Sequence, residues 1–364
     1  MHKIVLWALG TVFLVASCSQ YDDSSLVLFD FKRISNIRSV DYSNCVVPQE
    51  MTFSRVNNYV YDSLLISFLE ASSHLVSVSD SRSDSLLGTF CPKGRSMDEP
   101  LNVIPSMDLF EEQGAVKSLF FSYASGNNRF FKWNVSESLI ERKTLYDSVI
   151  QVESENGGIL TAVSYYYLPG DKIIIHNCRQ TINEWMEEPP TYEVYSALTG
   201  KREKIYSPFA LYEGKQTIVE NGLFSSKVYL TLEDCIKPTR DKLAFGMRFI
   251  PYLGVMDVNT GETRGVRLSG CPGLNTSRMF YYFMDLECND EFIYALYCGS
   301  RSDSFKAPGS SEIFIFNWNC KLVGKLKVER AHKLCLDGQV LYLHNYESGK
   351  VYSIRLDLIK TSML

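Results

Sequence analysis

A chain of 364 residues with 45% hydrophobic and 22% charged residues is long enough to bury a sizeable core and too apolar to be intrinsically disordered. Its formal net charge is −5 and its pI about 5.7, with no basic run, so nucleic acid is not an expected partner. The 22 Tyr and 21 Phe favour strands.

The first element is a targeting segment. Lys3 supplies a short positive start. The apolar stretch 4–16 is shorter than the ~20 residues that a membrane-spanning helix needs. It ends in Val15-Ala16-Ser17-Cys18, which resembles a bacterial lipobox. The expectation is removal of residues 1–17 as a lipoprotein signal peptide and lipidation of Cys18 on its thiol and freed amine. The several acyl chains then anchor the chain stably in a membrane. An ordinary secretory signal with a chance cysteine is the alternative. The mature chain keeps 364 − 17 = 347 residues and loses Lys3, which leaves 36 basic residues against 42 acidic ones. Ser19 rather than Asp follows Cys18, and this points to the outer membrane. Gln20-Tyr21-Asp22-Asp23 weakly resembles a surface-export signal, so the periplasmic and cell-surface faces both stay open. Residues 18–25 read as the lipidated cysteine and a polar tether.

Nine further cysteines occur, none in a C-x-x-C pair, so a zinc ribbon or thioredoxin-like motif is not expected. Most lie in apolar runs, where a free thiol packs as a small hydrophobe. One or two disulfides stay open in an oxidising compartment.

Residues 26–31 read as a first strand, and a pattern then repeats. Apolar run, polar turn, apolar run begins at Leu75, Phe130, Tyr192, Leu253, Ile313 and Val351, at intervals of 55, 62, 61, 60 and 38 residues. Thr199-Gly200 and Thr260-Gly261 supply turn residues. Other short strands precede each unit. About four antiparallel strands per unit, six times over, predict an all-β fold: a six-bladed β-propeller over residues 26–364. Open sheet edges invite unwanted pairing. Closure is therefore expected from residues 26–31 pairing with residues 351–356.

Some units carry a family likeness. After Thr89-Phe90, Lys93-Gly94-Arg95-Ser96-Met97-Asp98-Glu99 resembles the first-blade motif of TolB-like six-bladed propeller lipoproteins of Gram-negative, Bacteroidetes-type bacteria. Gly94 and Glu99 match that motif, while Cys91, Met97 and Asp98 depart from it. Residues 293–299 and 313–326 resemble the fifth blade, with Asn317-Trp318-Asn319-Cys320 where the family has Asp-Trp-x-Gly. Lys237-Pro238-Thr239-Arg240-Asp241-Lys242 resembles its fourth-blade proline turn. The resemblance implies fold and envelope location but little chemistry.

Residues that carry chemistry are sparse. His74, His176, His332 and His344 lie in different units without metal-ligand spacing. Asp171, Asp234, Asp285 and Glu291 are the donors a lactonase-like metal site would draw on; their ordinary reading is as turn and cap carboxylates. No G-x-S-x-G, P-loop or dinucleotide fingerprint occurs. No catalytic residue, metal or cofactor is therefore assigned. Trp185 and Met186, in an acidic loop ending Pro189-Pro190, and Arg301 and Phe305 in a fifth-unit loop are the candidate contact residues. The ordinary reading is loops folded back on their blades. Asp62-Ser63-Leu64 and two similar triplets weakly resemble O-glycosylation acceptors. The expected function is a non-enzymatic, membrane-anchored module that binds a peptide, protein or glycan through loops. The alternatives are an envelope enzyme, possibly metal-dependent, acting at the propeller channel, and a scaffold in an outer-membrane assembly.

Overall fold

A computed structural model describes residues 23–357 and 359, apart from 36–38, 42–45, 50, 52, 55–56, 71, 95, 97–98, 125–126, 154–159, 179–188, 211–231, 273–279 and 302–309. The strands form six sheets. Blade one runs from strand Asn58–Tyr61 to Leu86–Pro92, blade two from Asn102–Glu112 to Tyr146–Val152, and blade three from Ala162–Leu168 to Arg202–Tyr206. Blade four runs from Leu232–Ile236 to Thr263–Leu268 and blade five from Phe280–Cys288 to Leu322–Glu329. Blade six has Lys333–Asp337, Val340–Asn345 and Lys350–Arg355, plus one strand from elsewhere in the chain. Within each blade successive strands are antiparallel neighbours, and first strands contact first strands between blades two and three, four and five, five and six, and six and one. The six-bladed propeller expected from the repeat is the fold.

The blades stack face to face, so their middle strands are buried on both sides and read as continuous apolar runs rather than alternating ones. Ile173, Ile174 and Ile175 in blade three, and Ile313, Phe314, Ile315 and Phe316 in blade five, show this. The core is accordingly six separate clusters, one per seam between neighbouring blades. The described cluster between blades six and one is the smallest: Met51, Phe53, Val60, Leu65, Cys335, Tyr342 and Val351. One short helix, Val135–Glu141, caps the outer hairpin of blade two; Asn134 is its N-cap and accepts the Glu137 N–H at 3.1 Å.

Closure departs from the expected pairing. Residues 351–353 pair antiparallel with Val47–Gln49, so the N-terminal segment does supply the outer strand of blade six, but with residues further along. The stretch expected there goes elsewhere. Asp30–Ile34 lies parallel to Thr263–Leu268 as a fifth strand on blade four, and Val40–Asp41 lies parallel on blade five. The reason is packing. Leu26 and Phe29 are committed to the cluster between blades three and four, where Phe29 meets Phe245 edge-on at 5.6 Å. The segment thus runs along the outer rim from blade four to blade six before entering blade one.

Asp23–Leu26, which starts within the stretch read as tether and ends on the residue read as the start of the first strand, is a 3-10 turn with Asp23 and Leu26 buried. Asp23 takes the Arg267 guanidinium through two bonds of 2.9 and 3.0 Å and accepts Tyr252 Oη–H at 3.0 Å. The closing seam has its own polar tie: Asp337 of blade six accepts the N–H groups of Asp62 and Ser63 at 3.0 and 3.2 Å. Both turn residues have positive φ, 47° and 66°, a conformation that surrounding contacts must hold. In the first-blade loop, a Cβ on Gly94 would fall 1.8 Å from Glu99 Oε2, so the glycine lets that carboxylate fold over the backbone.

All eight described cysteines beyond position 45 are free thiols. Among the described residues no helix is long and apolar enough to cross a membrane.

Candidate functional site: an acidic axial channel

The six first strands surround a cavity of about 1220 Å³ along the propeller axis. Its lining includes the turns that follow all six of these strands, at Asp62, Gly114, Gly170, Pro238, Asn289 and Gly338. These turns therefore share one face, here the turn face; the connections between blades lie on the opposite, loop face. The lining carries eleven acidic side chains and two basic ones, Arg240 and Lys333. The chain's whole net charge is only −5, so negative charge is concentrated on the axis. Carboxylates between low-dielectric walls focus their field into the channel. Tyr59, Tyr61, Tyr165, Tyr166 and Tyr167 also line it.

Two polar networks occupy the wall. In the first, Lys333 Nζ stands 2.8 Å from Asp285 Oδ1, and Asp285 Oδ2 accepts the Leu334 N–H at 2.6 Å. Burial opposes charge on Lys333, but Asp285 and Glu233 outweigh it and hold its pKa well above the ordinary value. Glu233 pairs with Arg248. Glu287 lies two residues beyond Asp285, on the same strand face. Burial first, then the Asp285 charge, pushes the Glu287 carboxyl up to about 8, with Lys333 opposing. At neutral pH this side chain holds its proton.

The second network centres on Asp234, turned towards blade three. It accepts Ser164 Oγ–H at 2.6 Å, Tyr166 Oη–H at 2.7 Å and Tyr192 Oη–H at 3.1 Å. His176 Nδ1 is 3.2 Å away, at an angle too oblique for a good hydrogen bond. Burial raises the Asp234 pKa, but His176 and the hydroxyl donors outweigh it, and the net direction is down.

Arg240 spans the channel near the turn face. From blade four its Nη1 reaches Asp108 of blade two at 2.5 Å and Tyr167 O of blade three at 3.1 Å, and its Nη2 reaches Leu109 O at 2.9 Å. One guanidinium thus ties three blades. Asp62, Glu111 and Asp290 lie exposed around the same mouth.

Of the residues singled out from the sequence, Cys18, Trp185, Met186 and Phe305 lie outside the described residues. Arg301 ends the strand Phe292–Arg301 on the loop face. Asp234 and Asp285 do reach the axis, but each is engaged by protein donors. Asp171 accepts Tyr167 Oη–H at 2.5 Å, and Glu291 is in a surface turn. Among the described residues no group of three or more His, Cys, Asp or Glu is placed to hold a metal ion. Glu233, Glu287 and Lys333 went unnoticed in the sequence, and Arg240 was marked only as part of the proline turn. The signal was present as charges inside otherwise apolar strands, in Leu232-Glu233-Asp234-Cys235-Ile236 and Met284-Asp285-Leu286-Glu287-Cys288.

No protein-family model matches the chain, and no curated protein sequence matches it. Among solved structures, it is similar to a member of the DUF4221 family from Bacteroides vulgatus, at TM-score 0.55 and 10% identity over 85% of this chain and 95% of that one. A β-propeller domain of Cps50 (Swd1) from Myceliophteria thermophila aligns at TM-score 0.37 and 11% identity over 88% and 99%. At such identities the first likeness speaks to the propeller fold alone.

Proposed function

We propose that this chain is a lipid-anchored binding module whose axial channel receives a cationic ligand, a Lys- or Arg-rich peptide segment. The observation that carries this is the excess of eleven acidic over two basic side chains lining a channel of about 1220 Å³, an excess that persists with Glu287 protonated and with Glu233 and Glu112 paired to Arg248 and Lys132. Tyrosine faces on the same wall suit ammonium and guanidinium groups. A neutral glycan gains nothing from that charge and would bind regardless of salt. The test is binding of a fluorescent oligolysine to the mature protein and to a D62N/E111Q/D290N variant. These three carboxylates are exposed at the mouth, so the fold survives their neutralisation. At ~0.5 kcal/mol per exposed pair, the joint loss of ~1.5 kcal/mol weakens binding about tenfold. Unchanged affinity, or no binding by the parent, rejects the channel as the site.

A second reading, an enzyme acting at the channel, is favoured by one observation. Glu287 keeps a proton at neutral pH beside Asp285, the arrangement a general acid requires. A ligand cleaved by the parent and bound but uncleaved by Glu287→Gln would support it.

The anchor reading rests on Val15-Ala16-Ser17-Cys18. Asp23 follows Cys18 by five residues, a reach of at most about 17 Å, and packs on Tyr252 and Arg267 at the loop-face end of blade four. A lipid on Cys18 thus holds the loop face near the bilayer and directs the acidic mouth away from it. Mass spectrometry of the mature N-terminus tests this: an acylated Cys18, lost in Cys18→Ser, is expected, and an unmodified Cys18 refutes it. Outer-membrane location and a TolB-like relationship belong to the same proposal, supported by Ser19 and by the Gly94–Glu99 loop.

A further inference from the structure

Eight cysteines are described, and one differs in its neighbour. Cys288, Cys320 and Cys335 donate their S–H to backbone carbonyls, at 3.0, 3.5 and 3.2 Å. Cys91 is buried in the apolar seam between blades one and two, and burial drives its pKa up. Cys178 instead sits 3.5 Å from His176 Nε2, through Sγ. The other imidazole nitrogen, Nδ1, is 3.2 Å from Asp234 Oδ2, an electrostatic approach without a hydrogen bond. Thiol, imidazole and carboxylate follow one another in the order that activates a nucleophile: a base beside the sulfur, and an anion behind the base.

The local sequence explains the juxtaposition. His176 and Cys178 are two residues apart at the end of the strand Lys172–Asn177, so their side chains leave on the same face. That face meets blade four, whose first strand presents Asp234. Ser164, Tyr166 and Tyr192 fix Asp234, and the Tyr192 ring lies 5.1 Å from the imidazole. The titratable groups around His176 are Cys178 on its own blade edge, Asp234 and Cys235 on blade four, and Tyr166 and Tyr192 on blade three. The tyrosines are held neutral by burial and by Asp234. Burial disfavours a charged His176, but its contacts with Cys178 and Asp234 outweigh it, so its pKa is raised.

We propose that Cys178 is a nucleophilic thiol activated by His176 and Asp234, a site at which a small soft electrophile is captured covalently. The Sγ proton passes to Nε2, leaving a thiolate beside an imidazolium. The sulfur electron pair forms a bond to the electrophilic carbon as the bond to the leaving group breaks, and the leaving group departs with its pair. With iodoacetamide, iodide leaves, a carboxamidomethyl thioether remains on Cys178, and the proton stays on the imidazole until solvent removes it. Cys178 is 6% exposed, which selects small reagents. Asp234 joins this site to the channel wall, but neither His176 nor Cys178 lines the channel, so cysteine labelling reads this site and not cation binding.

The test is a brief iodoacetamide pulse on the folded mature protein at about pH 6 and about pH 8, with labelling of each cysteine read by mass spectrometry. An ordinary cysteine, with a pKa near ~8.5, gains close to 100-fold in rate across that interval. Half-buried Cys271 and Cys298 serve as comparators. The expected result is that Cys178 labels at the lower pH at least tenfold faster than either comparator, with a rate that changes less than about threefold between the two pH values. His176→Gln should cut the Cys178 rate at about pH 6 at least tenfold and leave the comparators unchanged. Should that variant fail to fold, the parent's pH profile decides alone. A Cys178 that stays unlabelled at both pH values, or that rises as steeply as Cys271 and Cys298, overturns the proposal.

Discussion

Glu287 shows how a residue placed for the channel affects the whole fold. Its carboxyl stays protonated up to about 8 in the native state, because burial and Asp285 penalise the charge. Between the ordinary carboxylate range and about 8 the native chain therefore binds more protons than the unfolded one. Stability is fully present at the acid end of this window and falls as pH rises through it. Above pH 8 the native channel carries the unwanted charge. Glu287→Gln, neutral throughout, should flatten this dependence. Above pH 8 it should melt about 1–2 °C above the parent, a gain of order 1 kcal/mol once channel water screens the charge. A variant that melts below the parent at that pH contradicts the reading. His344 has the opposite sign: burial, then His332, holds its pKa down at about 4. Its contribution is present above the ordinary histidine range and is lost as pH falls towards 4. Neither effect was legible in the sequence. A charged residue in an apolar strand is visible there, but not which blade seam or axis surrounds it.

At the scale of elements, the rim-running N-terminal segment carries two distinct devices. Asp23 meets Arg267 and Tyr252 in a buried cluster. Removing one partner of a buried pair leaves an uncompensated charge, so Asp23→Ala should destabilise the protein by about 3–5 kcal/mol, measured by urea denaturation. A loss below ~1 kcal/mol would show that this contact does not hold the segment down. The closing strand is weaker. Val47 is exposed, and across the pair the Gln49 side chain bonds Ser353 Oγ at 2.9 Å, with a second bond to Val47 O in its own strand. Gln49→Pro removes both side-chain bonds and a backbone donor, which should cost about 1–3 kcal/mol and speed amide exchange at residues 351–353 first. Exchange at those residues matching the parent would mean that the strand is not the clasp. The sequence showed that a surplus N-terminal strand existed but misassigned it. Residues 26–31 have the stronger apolar pattern, whereas Val47-Pro48-Gln49 is too short and too polar to signal a strand. Its proline is tolerated because the strand is an edge.

At the scale of the molecule, six seams of unequal size hold the ring. The described cluster between blades six and one has seven buried residues against 18 between blades three and four. Amide exchange on the intact protein should therefore open Asn58–Tyr61 and Val340–Asn345 before Lys242–Met247 and Tyr252–Asp257. The reverse order would place the weak seam elsewhere. The period of apolar runs made the six blades legible, because each blade repeats one local pattern. The channel was not, because closing the ring places Asp108, Tyr167 and Arg240 side by side although more than 50 residues separate each from the next. The central claim, that this axis attracts a cationic chain, is tested most directly by titrating oligolysine and oligoglutamate into the mature protein at low and high salt. The account predicts that oligolysine binds, weakens steeply as salt screens the channel, and competes with no oligoglutamate. Equal binding of both peptides, or oligolysine affinity indifferent to salt, would contradict it.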